Sequence, residues 1–153
     1  MPPEILVGTD LVDVERVHRL LAEQPEIAGR VFTDRELSYC TARRSRRSEH
    51  LAGRFAAKEA VFKALGGAPA MAAWTDVEVV NRAGGRPALR LHGRAASVAR
   101  RRRLRHAEVT LSHAAGLAIA HVVLVCDPGT GPEQADAVPS PEKTENGGTH
   151  VPG

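Results

Sequence analysis

The amino-acid sequence predicts a single α+β domain over residues 1–126. A chain of 153 residues fits one domain. Apolar residues recur at helical spacing in the first half, whereas the second half contains short alternating stretches that are typical of strands. The predicted order is a strand, helices, a hairpin, a helix and a second hairpin, which is an α+β order. Residues 127–153 are rich in Pro, Gly and polar residues, so we expect a disordered tail there.

The first half is predicted to contain one strand and three helices. In order, these are a strand over residues 4–9 and helices over about 12–25, 33–42 and 49–65. Asp10 stands at or just past the end of the strand. The third element begins with Thr33 and Glu36 in the spacing of a capping box. The long helix ends at Gly66 and Gly67, since glycine readily adopts positive φ after a helix.

The second half is predicted to form two hairpins on either side of a basic helix. The elements are strands over 76–80 and 88–92, a helix over 93–105, and strands over 108–113 and 117–125. The sequence NRAGGRP over 81–87 predicts the first turn, and Ala114, Ala115 and Gly116 predict the second.

Composition narrows the class of protein. Cys40 and Cys126 are too few for a disulfide framework and have no metal-ligand spacing, so both are expected to be free thiols. There is no basic start followed by an apolar run, and no stretch nears the roughly 20 apolar residues that span a bilayer. We therefore expect a cytoplasmic protein without a membrane segment.

The net charge is +3, with arginines clustered at 43–47 and 100–105. Either cluster is a solvated surface or a site for phosphates or an acidic partner.

Two carboxylates stand out as candidate metal ligands. Asp10 follows a strand predicted to be buried, where an unpaired carboxylate is costly. With Glu59 of the long helix it could share a divalent ion, and oxygen ligands with few protein donors suit Mg²⁺. The alternatives stay open: Asp10 as a helix N-cap, and Glu59 with Lys63 as an ordinary surface pair four residues apart.

Other motifs carry less weight. Ser112 and His113 at a strand end lack a nearby acid, which makes nucleophilic catalysis by them a weak hypothesis. The sequence has no P-loop, no GxGxxG after a strand and no CxxC pair. The arginines at 100–105 stand without interleaved aromatic residues or a known nucleic-acid motif, so we expect no nucleic-acid partner.

Five segments of the chain follow one another in a characteristic order: GTDLVDVERV, RVFTDREL, LAGRFAAKEAVFKALG, the DVEV…GRPAL hairpin and VTLSHAAGLAIAHVVL. Together, and in this order, they resemble the holo-acyl-carrier-protein synthase family, the short 4′-phosphopantetheinyl transferases. The resemblance covers nearly all of residues 4–125. It implies the family fold, with a small antiparallel sheet, helices and an active site at a subunit interface.

The resemblance also implies an activity. Members transfer the 4′-phosphopantetheine group of coenzyme A to a serine of an apo acyl carrier protein and release adenosine 3′,5′-bisphosphate. Asp10 and Glu59 match the Mg²⁺ ligands, and Lys63 matches a catalytic lysine at the pyrophosphate. Positions that line the coenzyme A nucleotide are matched by Arg54, Gly66, Pro87, Ser112 and His113.

Assembly and partners follow from the same resemblance. Members are usually homotrimers, so Asp10 would come from one subunit and Glu59 from the next. Arg16 matches a basic carrier-docking residue of the first helix, and Arg19 lies nearby. The choice between a fatty-acid carrier and a polyketide or other secondary-metabolism carrier stays open, as does the general base. A metal-bound water, Asp34 or Glu36 could serve as base, although helix capping is the other role for both carboxylates.

Overall fold

The fold is the α+β arrangement that the sequence predicts, seen in a computed structural model that describes residues 1–69 and 72–129. The strands are β1 (Glu4–Asp13), β2 (Val77–Asn81), β3 (Pro87–Leu91), β4 (Leu104–Ala114) and β5 (Leu117–Cys126). The α-helices are α1 (Val14–Glu23), α2 (Ile27–Val31), α3 (Asp34–Thr41), α4 (Arg47–Ala64) and α5 (Gly93–Arg101). Most of the predicted tail, residues 130–153, lies outside the described residues.

Strands β1, β5 and β4 form an antiparallel sheet in that order. Because side chains alternate along a strand, the sheet has two distinct faces. One face is buried against α4 and includes Ala118, Ala120, Val122 and Leu124 of β5, all fully buried. We call the opposite face the outer sheet face. Its exposed apolar side chains are Ile5, Val7, Leu11 and Ile119, with exposed fractions of 63, 60, 55 and 39%.

Helix α4 packs tightly on β1 because small residues line the contact. A Cβ atom on Gly8 would lie 1.9 Å from the carbonyl oxygen of Ala60, so only glycine fits there. Val61 and Leu65 of this helix are buried, and Phe55 is partly buried against the core.

Strands β2 and β3 form a separate antiparallel hairpin, in which Val77 pairs with Leu91 and Asn81 with Pro87. The hairpin packs on α3 and α4 on one side and reaches β4 on the other. Trp74, just before β2, lies against Phe55 and Phe62 of α4, with ring centroids 5.2 and 5.4 Å away. The hairpin therefore covers a side of α4 that the three-stranded sheet leaves free.

Several local predictions are confirmed. Thr33 and Glu36 form a reciprocal capping box at the start of α3. Gly66 and Gly67 follow α4 with φ of 89° and 121°. Cys40 and Cys126 are both free and buried.

Some predicted boundaries are wrong. Strand β1 continues to Asp13 because its whole length pairs with β5, down to Asp13 opposite Leu117. Helix α5 ends at Arg101, since Arg103 has a φ of 56° and β4 starts at the next residue. The five-residue helix α2 was not predicted; it is too short to show a periodic pattern.

Candidate active site

Asp10 and Lys63 form the centre of the candidate site. Asp10 lies within β1 on the side facing α4, and Lys63 lies in the last turn of that helix. The Lys63 ammonium donates to Asp10 Oδ1 at 2.7 Å and to the Thr9 carbonyl at 3.2 Å. The hydrogen bond to Asp10, together with its negative charge, raises the pKa of Lys63, so this lysine is a cation at neutral pH.

Glu59 lies one helical turn before Lys63 on the same helix. Partial burial raises the pKa of Glu59, and the Asp10 carboxylate adds to this effect while Lys63 opposes it. The three side chains therefore interact within a single chain. The expectation that Asp10 and Glu59 come from different subunits is wrong, because the close fit of Gly8 on Ala60 brings β1 directly against α4.

The alternative in which Asp10 caps the following helix is also wrong. Asp13 is the N-cap of α1, and its Oδ1 accepts a hydrogen bond from the Arg16 backbone at 2.9 Å. Asp10 is thus free of any capping role and has Lys63 as its ionic partner.

Asp10 and Glu59 fit the demands of a magnesium ion. Burial is the main cause of the raised pKa of Glu59, and the negative charge of Asp10 raises it further, as expected for two carboxylates that face a common space. Within residues 1–69 and 72–129 no third acidic, His or Cys side chain joins them as a ligand cluster. Two carboxylates suit Mg²⁺, which completes its shell with water and substrate phosphate oxygens.

A cavity of about 390 Å³ lies between α4, the β2–β3 hairpin and the edge strand β4. Three residues predicted to line the nucleotide of coenzyme A lie in its wall, namely Arg54, Pro87 and His113. Sequence analysis missed other polar residues of the wall: His50, Asn81, Arg86, Glu108 and His121. Among the described residues, the cavity wall does not include Asp10, Glu59 or Lys63.

Arg54 gives the cavity a buried positive charge. It is 2% exposed, its Nη2 donates to Asn81 Oδ1 at 2.6 Å, and its guanidinium lies 4.2 Å from the Tyr39 ring centroid. Its Nε is buried and has no hydrogen-bond partner within the described chain. A buried donor without a partner is costly. The wall therefore contains a buried positive charge, which favours an anionic ligand in the cavity.

Ser112 and His113 point to opposite faces of β4, which excludes a Ser–His nucleophilic pair between them. His113 is half-buried towards α4, and its Nε2 lies 2.8 Å from the Glu49 carbonyl oxygen. Ser112 is exposed on the outer sheet face, and Gly66 is exposed after α4. Neither Ser112 nor Gly66 lines the cavity described above.

Two other predicted roles can be judged from burial. Arg16 and Arg19 are exposed on α1, where a partner can reach them. Glu36 is fully buried and accepts hydrogen bonds from Thr33, Lys58 and Val79, so it cannot reach a substrate hydroxyl as a base. Asp34, also suggested as a base, is exposed in the first turn of α3.

Comparison with known proteins identifies the class. The model of the 4′-phosphopantetheinyl transferase superfamily matches residues 6–120. A holo-[acyl-carrier-protein] synthase of Anaeromyxobacter sp. (strain K) is 46% identical over 130 residues, covering 82% of this chain and 97% of the relative. The holo-[acyl-carrier-protein] synthase of Frankia alni is 47% identical over 117 residues, which cover 76% of this chain and 93% of the relative.

Solved structures agree with this assignment. The ACPS–CoA complex of Chronobacterium ammoniagenes superposes with a TM-score of 0.70 at 30% identity, covering 82% of this chain and 99% of that one. The holo-[acyl-carrier-protein] synthase of Helicobacter pylori, in complex with coenzyme A, gives a TM-score of 0.67 at 26% identity, covering 78% and 99%.

The chain belongs to the 4′-phosphopantetheinyl transferase superfamily and, within it, to the holo-acyl-carrier-protein synthase family, which confirms the resemblance found in the sequence. It is a transferase, and no helix of its described part is long and apolar enough to cross a membrane.

Proposed function

We propose that this protein transfers the 4′-phosphopantetheine group of coenzyme A to a serine of an apo acyl carrier protein. The observation that carries the proposal is the cluster of Asp10, Glu59 and Lys63, two carboxylates and a lysine brought together from β1 and α4. This combination suits pyrophosphate chemistry, because a lysine and a metal ion held by carboxylates can neutralise the negative charge that develops around the phosphate that leaves.

In the reaction the serine hydroxyl gives its proton to a general base, its oxygen bonds to the β-phosphorus, and the bond from that phosphorus to the bridging oxygen breaks. The bridging oxygen leaves on adenosine 3′,5′-bisphosphate. Lys63 is held at Asp10 by a 2.7 Å hydrogen bond, so its ammonium is positioned to stabilise this oxygen or give it a proton. Asp10 and Glu59 would hold Mg²⁺, which supplies charge neutralisation to the phosphate oxygens when bound.

The nucleotide end of coenzyme A is assigned to the cavity of about 390 Å³. Arg54 lies in the wall of this cavity and would supply positive charge to the phosphates of the nucleotide. Pro87 and His113 lie in the same wall and would contact the nucleotide. Ser112 and Gly66 lie outside this cavity, so they would contact coenzyme A only if the ligand bound between two subunits.

Assembly into a homotrimer with the active site between subunits is part of this proposal. The outer sheet face exposes Ile5, Val7 and Leu11 along β1, a row of aliphatic side chains that a partner subunit would cover. In the described part of the chain, the cluster of Asp10, Glu59 and Lys63 lies outside the wall of the cavity. A neighbouring subunit would bring the two halves of the site together. Light scattering of the purified protein, with Val7→Lys as the disrupting variant, tests the trimer.

Arg16 and Arg19 on α1 would dock the carrier, since acyl carrier proteins are acidic and opposite charge steers such encounters. A carrier of a polyketide or other secondary pathway is the second candidate, because α1 and its surroundings also carry Glu23 and Glu26. A cytoplasmic location, where carrier and coenzyme A meet, is part of the same proposal.

The test is the intact mass of an apo acyl carrier protein after incubation with this protein, coenzyme A and Mg²⁺. We expect a gain equal to one phosphopantetheine group, abolished by EDTA and restored by excess Mg²⁺. Fatty-acid, polyketide and peptide carriers should be tried in parallel, since their relative rates identify the partner. No gain with any carrier would contradict the proposed function.

A further inference from the structure

Lys58 is the one residue of the FAAKEA segment whose charge the proposed chemistry does not use. It precedes Glu59 on α4 and is turned from it by about 100°. Its side chain is fully buried. We propose that Lys58, paired with Glu36, is a positioning residue that holds the β2–β3 hairpin against α4 and so sets the affinity of the nucleotide cavity. This inference rests on the proposed function for its ligand.

The contacts of Lys58 connect three elements. Its ammonium donates to Glu36 Oε2 at 2.9 Å, to the Trp74 carbonyl at 3.2 Å and to the Val77 carbonyl. An ammonium group has three donors, so all three are used. Two of the acceptors are backbone atoms at the entry to β2. Lys58 thus fixes the start of the hairpin to the middle of α4.

Glu36 completes the connection from the other side. Its Oε1 accepts from the Val79 backbone at 2.9 Å, and its Oε2 accepts from the Thr33 backbone at 2.9 Å as well as from Lys58. The carboxylate is therefore bound to α3, α4 and β2 at once. Every oxygen has a partner, which a buried carboxylate requires.

Stability alone is a poor explanation for this pair. Burial lowers the pKa of Lys58, and the charge of Glu36 only partly offsets that cost. Apolar residues of similar volume often stabilise a core as well as a buried ion pair does. The pair instead fixes the relative position of the elements, because its hydrogen bonds form only over a narrow range of distances and angles. An apolar contact would not impose such a geometry.

The fixed part of the hairpin leads directly to the cavity. Asn81 lies two residues after Val79, accepts from Arg54 Nη2 at 2.6 Å and donates to the Gly85 carbonyl at 2.9 Å. Asn81, Gly85, Arg86 and Pro87 all line the cavity, whereas Lys58 and Glu36 do not. A shift at Val77 or Val79 therefore moves the cavity wall relative to Arg54, without any change in a residue that touches the ligand.

The test compares Lys58→Met with Leu124→Ala, a core control in β5 whose fully buried side chain lies in the three-stranded sheet. Glu36→Gln is the second variant, which keeps the size of the side chain and the two backbone partners of Lys58. Two quantities are measured in folded protein: amide hydrogen exchange over 77–91 without ligand, and the Kd of adenosine 3′,5′-bisphosphate.

We expect Lys58→Met to speed exchange in the hairpin and to raise the Kd by about tenfold or more. Glu36→Gln should shift both quantities in the same direction, and it carries the test if Lys58→Met does not fold. Leu124→Ala should lower global stability but leave the Kd as in the parent. Unchanged hairpin exchange, or faster exchange with an unchanged Kd, would overturn the proposal.

Failure of the proposed function gives a different result. The parent protein would then show no binding of adenosine 3′,5′-bisphosphate, whatever the variants do. Hairpin exchange alone would decide the positioning role in that case: faster exchange in Lys58→Met than in Leu124→Ala supports it, and equal exchange refutes it.

Discussion

Lys63 donates a 2.7 Å hydrogen bond to Asp10, a residue 53 positions earlier in the chain. The contact joins the last turn of α4 to the middle of β1. It depends on the absence of a side chain at Gly8, which allows the helix and the strand to approach.

Replacing either carboxylate should remove the transfer reaction and keep the fold. We expect Asp10→Asn and Glu59→Gln each to lower kcat/KM by about 100-fold or more, since each removes charge needed at the phosphates. The chemical denaturation midpoint should change little, because each substitution keeps the size of the side chain and Lys63, which loses a charged neighbour, is 54% exposed and stays hydrated. Steady-state transfer assays over a range of Mg²⁺ concentrations check this. Full activity in Glu59→Gln would disprove the metal assignment.

The pKa of Glu59 should respond in opposite directions to its two neighbours. In metal-free protein, Asp10→Asn should lower the pKa of Glu59, because it removes a negative charge that disfavours ionisation. Lys63→Met should raise it, because the lysine charge favours ionisation. Carboxyl ¹³C NMR titration measures both shifts. Burial, the largest cause of the raised pKa, remains in both variants, and shifts of the same sign would contradict the proposed geometry.

Gly8→Ala should destabilise the protein by about 1–3 kcal/mol or shift β1 away from α4. The added Cβ would meet the Ala60 carbonyl oxygen at 1.9 Å, and neither backbone can move without disturbing the core. Gly29→Ala is the matched control, because nothing lies within 4 Å of its Cβ position in α2. Urea denaturation gives both free energies of unfolding, and equal values for the two variants would be inconsistent with the tight contact.

The two thiols should be unreactive in the folded protein. Cys40 and Cys126 are 0 and 1% exposed, and burial raises the pKa of each thiol. Thiolate is the reactive form, so DTNB at neutral pH should label neither until denaturant is added. Ser38→Cys, on the exposed side of α3, provides a reactive control. Rapid labelling of two thiols in the native parent would show that the core opens readily.

Charge reversal at Arg16 should weaken recognition of the carrier but not of coenzyme A. We expect Arg16→Glu to raise KM for the carrier about tenfold, with a smaller dependence on salt than the parent. Arg94→Glu on α5 makes the same charge change at another exposed helix and should leave this KM unaltered. Equal effects of the two reversals would indicate attraction by net charge instead of docking on α1.

The sequence predicts those features that a few neighbouring residues determine. The capping box of Thr33 and Glu36 and the positive φ of Gly66 are local, and both are confirmed. The burial of Lys58 is different. Its sequence neighbours look like those of a surface ion pair, and only the arrival of Glu36 and β2 from distant positions makes a buried lysine possible.

The candidate site shows the same division. Motif resemblance identified Asp10, Glu59 and Lys63, and the structure brings them together within one chain. The sequence motifs could not show that Asn81 accepts a hydrogen bond from Arg54, since that contact spans 27 positions and has no local pattern.

The alternation of side chains along β1 limits which insertions this strand can accept. Gly8 and Asp10 face α4, while Val7 and Leu11 lie on the outer sheet face. One residue inserted between Gly8 and Asp10 would exchange these faces for part of the strand, placing a carboxylate outside and an aliphatic group at the site. A single-residue insertion at this point of β1 would therefore separate Asp10 from Lys63, even though the composition of the chain would hardly change.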